Sequence, residues 1–553
     1  MDRALSTLMR IAIVLLLGVS LLPTLAGLAA ALVLGFDAAA LARVLATPGI
    51  GTSIGTSLFT GIAATGLSLA LAHLAVAAAV SGGWRDKLNA ATLPLLALPH
   101  LAIGIGLALV IAPSGLLLRL LSPWATGLEL PPDWHLVRDP AGLSLILGLV
   151  IKETCFLIMA LMAALSQVPV SRLQQTGAAL GYGPLKAWLC TIAPLAQTQI
   201  RLPLAAVLVF GITNVELAIT LGPGLPPTFA VVLWQWFTDP DPTLQAQAYA
   251  GSLLLIALVA GTLGLGAASA RLGQRALQVF ARSGKRRADD SGIRRAGVTA
   301  LASLWVLGGL SFIAIALRAA GGLWRFPAVL PTSTASGLWQ DLAPSVGSVT
   351  GTTLVLGLLT AVIGVALVLP AAEQVRARPR TRRHVGIWLF IPLVLPQMTF
   401  LFGVQILLTR WHLDGQFVAV VWAHLVFALP YLWGVLAPAR AALDPKLQQV
   451  AYSLGSKPFA VWRRVTLPLL ARSTLLALAL GFSVSVALYL PTLFAGAGRV
   501  TTAATEAAAA AGSGSLRVAA LHAILLCIAP LTAFAAAFFG GAWLYRHRQG
   551  VPK

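Results

Sequence analysis

Apolar residues run through this chain in long blocks, and its polar residues fall in the gaps between them. A helix of about 20 apolar residues is long enough to cross a bilayer. On that measure the pattern predicts spans near 11–35, 52–80, 90–111, 142–165, 199–221 and 248–270. A second set falls near 296–319, 346–370, 385–408, 417–438, 471–494 and 517–544. The chain therefore reads as an all-α polytopic membrane protein with about 12 transmembrane helices, six followed by six. The first block follows Arg3 and Arg10 but is longer than the apolar core of a secretory signal, so it is expected to stay as a signal-anchor helix.

Two of the polar gaps are copies of each other. Leu173-Gln174-Gln175, Leu180-Gly181, Pro184, Trp188 and Pro194-Leu195 recur 274 residues later. The second copy reads Leu447-Gln448-Gln449, Leu454-Gly455, Pro458, Trp462 and Pro468-Leu469. Upstream, Gly55-Thr56, Leu58, Gly61 and Leu71 meet Gly351-Thr352, Leu354, Gly357 and Leu367 at an offset of 296. The first half thus carries 22 additional residues, placed in the Pro-rich segment 112–141 with Trp124 and Trp134, residues suited to a membrane–water interface. Six expected helices separate the two loops, so both face one compartment and the repeat is parallel rather than inverted. The expected domains are 1–281 and 296–553, joined by a basic linker at 282–295.

Composition agrees with the pattern. Hydrophobic residues make up 58% of the chain and charged residues 10%, and the mean hydropathy of +0.88 excludes a soluble globular protein. The net charge of +21 invites a nucleic-acid reading, but its placement argues against one. With the N-terminus inside, 29 of the 38 Lys and Arg residues fall on the cytoplasmic side, the asymmetry that orients membrane proteins. Both termini and both repeated loops are then expected in the cytoplasm, and no nucleic-acid partner is expected. Cys155, Cys190 and Cys527 have no metal-ligand spacing and form no disulfide framework.

Each repeated loop reads as two short helices. The first ends at Gly181 or Gly455, where glycine tolerates a left-handed turn. Pro184 or Pro458 opens the second, at a position whose N–H needs no partner. That helix carries Trp188 or Trp462 and is expected to stop before Pro194 or Pro468, which would open the next span. The product would present an aromatic, apolar face beside Lys186 or Arg463 and Arg464, suited to a groove in another protein.

These loops resemble the EAA loop of binding-protein-dependent ABC importer permeases. That pattern is Glu-Ala-Ala, three residues, Gly, nine residues, then Ile-x-Leu-Pro. The second copy supplies Gly455, Val465, Leu467 and Pro468; the first keeps Gly181 and Pro194 but has Thr191 and Ala193. Gln175 and Gln449 stand where the family has Glu. The resemblance implies a tandem repeat of two six-helix ABC-importer permease domains in the bacterial inner membrane. It is nearest to the fused permeases of thiamine and ferric-iron importers and their thiamine-like relatives. It also implies two copies of a cytosolic ATPase docked on the loops and an extracytoplasmic solute-binding protein. The chain has no phosphate-binding loop of its own: Ser283-Gly284-Lys285 has Val279 where the first glycine would stand, and no strand precedes it. No enzymatic activity, cofactor or metal is expected of it.

Few polar residues fall inside the spans. Lys152-Glu153 opens the fourth helix and reads as a pair snorkelling at the interface, with a gate or a substrate contact as the alternative. Asn214 and Glu216 fall deeper, before Gly222-Pro223-Gly224. A carboxylate facing lipid costs about 2.5–3.5 kcal/mol on insertion scales. Glu216 is therefore expected to face a water-filled path or another helix. Leu488 and Leu490 occupy the equivalent positions. His73, His100 and His424 read as packing residues. An ion-coupled carrier with parallel repeats is the alternative, but it needs carboxylates repeated in both halves. A membrane enzyme would need a cluster of His, Asp or Glu at one face.

Overall fold

The twelve apolar blocks are all helical in the computed structural model, which describes residues 3–282, 290–334 and 336–545. Ten of the described helices are long and apolar enough to cross a bilayer, or twelve when each of two bent pairs counts as one span. Residues 283–289 of the expected linker, with Ser283-Gly284-Lys285, lie outside the described residues. The sixth and eighth spans overrun their apolar blocks, at Pro242–Arg282 and Ser336–Val375.

Two spans in each half are broken at equivalent places. The third expected span divides into Arg85–Ala97 and His100–Ile111 in the first half, and into Pro379–Val394 and Gln397–Arg410 in the second. The breaks fall at Leu98-Pro99 and Leu395-Pro396. Proline disfavours helical torsions in the residue before it, and both leucines are extended, with ψ of 134° and 145°. The fifth span ends its helix at Thr213 and resumes over Ala218–Leu221; its counterpart ends at Ala487 and resumes over Leu490–Gly496. Asn214 and Glu216 therefore sit in a break, not within a continuous helix as expected.

The compact units do not follow the two sequential halves. One unit gathers Met1–Val33, Trp339–Glu506 and Leu525–Lys553; the other gathers Leu34–Leu338 and Ala507–Ile524. The first helix of each half thus packs with the body of the other half. Small residues make this packing close, as in membrane helix pairs that meet through glycine. Gly27 of the Arg3–Gly35 helix meets the backbone of Phe400 and Gly403, and Trp422 Nε1 donates to Val19 O at 3.0 Å. In the other unit, the Ser291–Ala320 helix brings Ser311 against Gly106 and Gly308 against Leu95.

The 112–141 segment is also tied down. Arg119 is buried and donates to the carbonyls of Ser114, Trp324, Arg325 and Ala328 at 2.7–3.2 Å. Its guanidinium lies 4.7 Å from the Trp324 ring centre, a cation–π contact. Asp139 caps the Leu143–Leu165 helix by accepting from Leu143 N and Ser144 N, both at 2.8 Å. Burial opposes its charge, but the Ser144 and Leu143 hydrogen bonds outweigh that and hold its pKa below the ordinary carboxylate value.

Candidate functional site

Both repeated loops close their first helix with the same set of backbone bonds. After the helix Val170–Ala179, Gly181 N donates to Ala178 O at 2.9 Å and Tyr182 N to Gly177 O at 3.0 Å. After Pro445–Ser453, Gly455 N donates to Tyr452 O at 2.9 Å and Ser456 N to Ala451 O at 3.1 Å. This is the Schellman closure, which needs a left-handed residue; Gly181 and Gly455 supply φ of 71° and 78°. Pro184 and Pro458 begin the next helix in each copy, as expected.

That next helix does not stop before the second proline. It passes through a π turn, Trp188–Ile192 or Trp462–Thr466, and continues as Ala193–Gln199 or Leu467–Ala487. Proline inside a helix removes an N–H and crowds the carbonyl four residues earlier. The wider turn relieves this: Ala193 N bonds to Trp188 O and Leu467 N to Trp462 O, one residue beyond the α-helical partner. Pro194 and Pro468 thus sit inside a helix that continues past the loop, to Gln199 in the first half and to Ala487 in the second. In the first half this helix bends by 72° against Arg201–Thr213, at Ile200.

The side chains of the two copies are placed differently. Gln175 and Gln449 are exposed, whereas their neighbours Gln174 and Gln448 turn inward. Gln174 Nε2 donates to Val80 O at 3.1 Å. Gln448 Nε2 donates to Thr466 Oγ1 at 2.7 Å, and its Oε1 accepts from Arg376. Trp188 departs from the expected exposed aromatic face: it is 1% exposed, and its indole N–H donates to His73 Nδ1 at 3.2 Å. Trp462 is half-buried and stacks on Phe459, with ring centres 6.2 Å apart. Exposed apolar side chains gather on the second copy, at Leu447, Val450, Leu454 and Phe459.

Around the breaks lies polar chemistry that sequence patterning left unplaced. Lys152 and Glu153 are buried inside the protein and do not snorkel to its surface. The Lys152 ammonium donates to the carbonyls of Leu95, Leu96 and Leu98. The break at Pro99 frees those carbonyls, and a cation suits the negative end of the helix they close. Glu153 Oε1 lies 3.1 Å from His100 Nε2, in hydrogen-bond contact. In the other unit, His424 bonds to Ser485 Oγ at 2.7 Å and to Thr492 Oγ1 at 2.8 Å, bracketing the break at Leu488. Asn214 is buried and its Oδ1 accepts from Leu217 N at 2.7 Å. Its Nδ2 has no hydrogen-bond partner among the described residues. Glu216 is half-buried beside it, while Leu490, its counterpart, is 2% exposed.

No protein-family model matches the chain. Over 499 residues the chain is 32% identical to the inner membrane ABC transporter permease protein YnjC of Escherichia coli, covering 90% of this chain and 89% of that protein. It is also 32% identical over 151 residues to the molybdenum transport system permease protein ModB of Mycobacterium tuberculosis, covering 25% of this chain and 56% of that one.

Proposed function

Because the chain belongs to the family of inner-membrane ABC transporter permeases, we propose that it is the membrane subunit of an importer, with both transmembrane domains on one polypeptide. The two domains are taken as the sequence halves 1–281 and 296–553. Solute reaches it from an extracytoplasmic binding protein, and two copies of a separate cytosolic ATPase dock on the two repeated loops. The observation that carries this reading is the pair of loops with one closure, one proline start and one π turn at the same offset. In the second half the loop helix runs on to Ala487, and in the first it reaches the fifth span across the bend at Ile200. Through these helices a displacement of the docked end passes to each span and so to the break beyond it. Co-expression with a candidate ATPase and binding protein, followed by uptake into proteoliposomes, tests the assignment. Uptake should require ATP inside the orientation-matched compartment and the binding protein outside; uptake driven by an ion gradient alone would replace it with a secondary carrier.

The loops and both termini are assigned to the cytoplasm on the distribution of basic residues. In a variant lacking the three native cysteines, Gly183→Cys and Lys457→Cys should resist a membrane-impermeant thiol reagent in intact cells. Pro240→Cys and Ser513→Cys, exposed on the opposite side of the adjoining spans, should react. Labelling of the loop positions from outside would invert the assignment.

Asn214 and Glu216 are assigned to the solute path. A carboxylate beside an amide nitrogen that has no hydrogen-bond partner among the described residues, both at a helix break, suits a water-lined cavity and not lipid. Glu216→Gln keeps the size and removes the charge, and should slow uptake about tenfold at unchanged protein yield, the scale of one charged hydrogen bond. Wild-type uptake by this variant would return Glu216 to a purely structural role.

A further inference from the structure

The two loops share a backbone but not the device that holds it. Around the second loop a buried ionic network does the holding. Glu373 pairs with Arg440 through both carboxylate oxygens and with Arg376 at 3.3 Å, and Arg376 reaches Gln448 of the loop. None of this exists in the first half, where the equivalent positions are Ala77, Val80, Ser166 and Ile192.

The first loop is held instead by the two ends of the segment that joins the halves. Asp290 stands at the N-cap position of the Ser291–Ala320 helix, yet its side chain does not cap that helix. Its carboxylate, 8% exposed, accepts the backbone N–H of Leu185 at the start of the loop helix. From the other end, Ala281 O accepts from the Tyr182 hydroxyl at 3.3 Å. Phe280 and Tyr182 hold the buried Lys186 ammonium between their rings, 4.6 and 4.7 Å from the ring centres. Just beyond Asp290, Arg294 reaches Ser81 Oγ at 3.5 Å. In the second loop Ser456 and Ala460 replace Tyr182 and Lys186, so the phenol and ammonium contacts of this clamp have no copy there.

We propose that the residues at either end of the joint between the halves, Phe280 and Ala281 on one side and Asp290 and Arg294 on the other, are a working part of the first loop, with Asp290 as its positioning residue. It fixes the orientation of the helix that starts at Pro184, as the Glu373–Arg440 network fixes the one that starts at Pro458. The two docking helices are therefore held independently, and each can be loosened without the other. The proposal rests on the reading of these loops as ATPase-docking helices. A carboxylate at a helix N-terminus both accepts an otherwise unpaired N–H and complements the positive end of the helix dipole.

The test uses full-length protein assembled with its ATPase, carrying a single cysteine at Gln175→Cys or Gln449→Cys, each paired with a cysteine on the ATPase surface. Disulfide cross-linking reports each docking site separately. Asp290→Ala should lower the yield at the first site about fivefold or more and leave the second within about twofold. Asp290→Asn, which keeps an acceptor oxygen, should fall between wild type and Asp290→Ala. Glu373→Gln should give the opposite pattern. Unchanged yield at the first site in Asp290→Ala would overturn the proposal. An equal fall at both sites would also overturn it, because a general folding defect does not discriminate between them. Absence of cross-linking at either site in the wild-type background would remove the docking reading itself, and this proposal with it.

Discussion

Valine at Gly181 or Gly455 is expected to weaken ATPase association about 5- to 150-fold for each loop altered, the range set by about 1–3 kcal/mol of local backbone strain. Both glycines have φ near +70° to +80°, a region where a β-branched side chain is a true outlier. The bonds that close the helix, from residues 181 and 182 or 455 and 456, exist only in that conformation. A valine that relaxes to negative φ breaks them and swings the following proline-led helix away. At Gly455 a Cβ would meet nothing within 4 Å, so the loss comes from backbone conformation and not from a clash. The membrane spans, supported by their own packing, should keep their stability. Gly455→Asn should be far milder, since asparagine tolerates the left-handed region. Co-purification with the ATPase and stimulation of ATP hydrolysis check the result. A double valine variant that assembles and transports like wild type would exclude docking through these loops.

Arg440→Met is expected to be the most destabilising single change near the loops. Arg440 is 3% exposed and Glu373 8%, and they share two hydrogen bonds. Removing one partner of such a pair leaves the other charge buried and uncompensated, at a cost of about 3–5 kcal/mol. Arg376 offsets part of that cost, because it lies 3.3 Å from the same carboxylate. The double variant Arg440→Met, Glu373→Leu removes both charges and should recover most of the thermal stability, as apolar replacements of buried pairs commonly do. It should not recover docking at the second loop, because Arg376 then loses the carboxylate that orients it toward Gln448. Thermal unfolding of the purified protein separates the two variants. A single variant as stable as wild type would show that the pair contributes nothing to the fold.

The positions of the twelve apolar blocks and the doubled loop could be read directly, because span length and a constant offset are properties of the chain in one dimension. The turn at Gly181 and Gly455 was legible for the same reason. Its whole mechanism lies within six residues, where a left-handed glycine and a proline start suffice. The breaks at Leu98 and Leu395 also have a local cause in the proline that follows. The break at Asn214 has none, since no proline lies nearby before Pro223.

What local pattern left undecided is which way otherwise similar residues face. Trp188 and Trp462 are indistinguishable in the repeat, yet one is sealed inside because residue 73 is a histidine able to accept its N–H, where the other half has Leu369. Lys152 looked interfacial because its partners are backbone carbonyls 54–57 residues away, freed only once the chain breaks at Pro99. The exchange of first helices and the hold of Asp290 on Leu185 belong to the same class. Hydrophobic length and backbone torsion are decided within a few residues and are written in order along the chain. The partner of a buried polar group is decided by whichever distant segment folding brings against it, and only the tertiary structure supplies that neighbour.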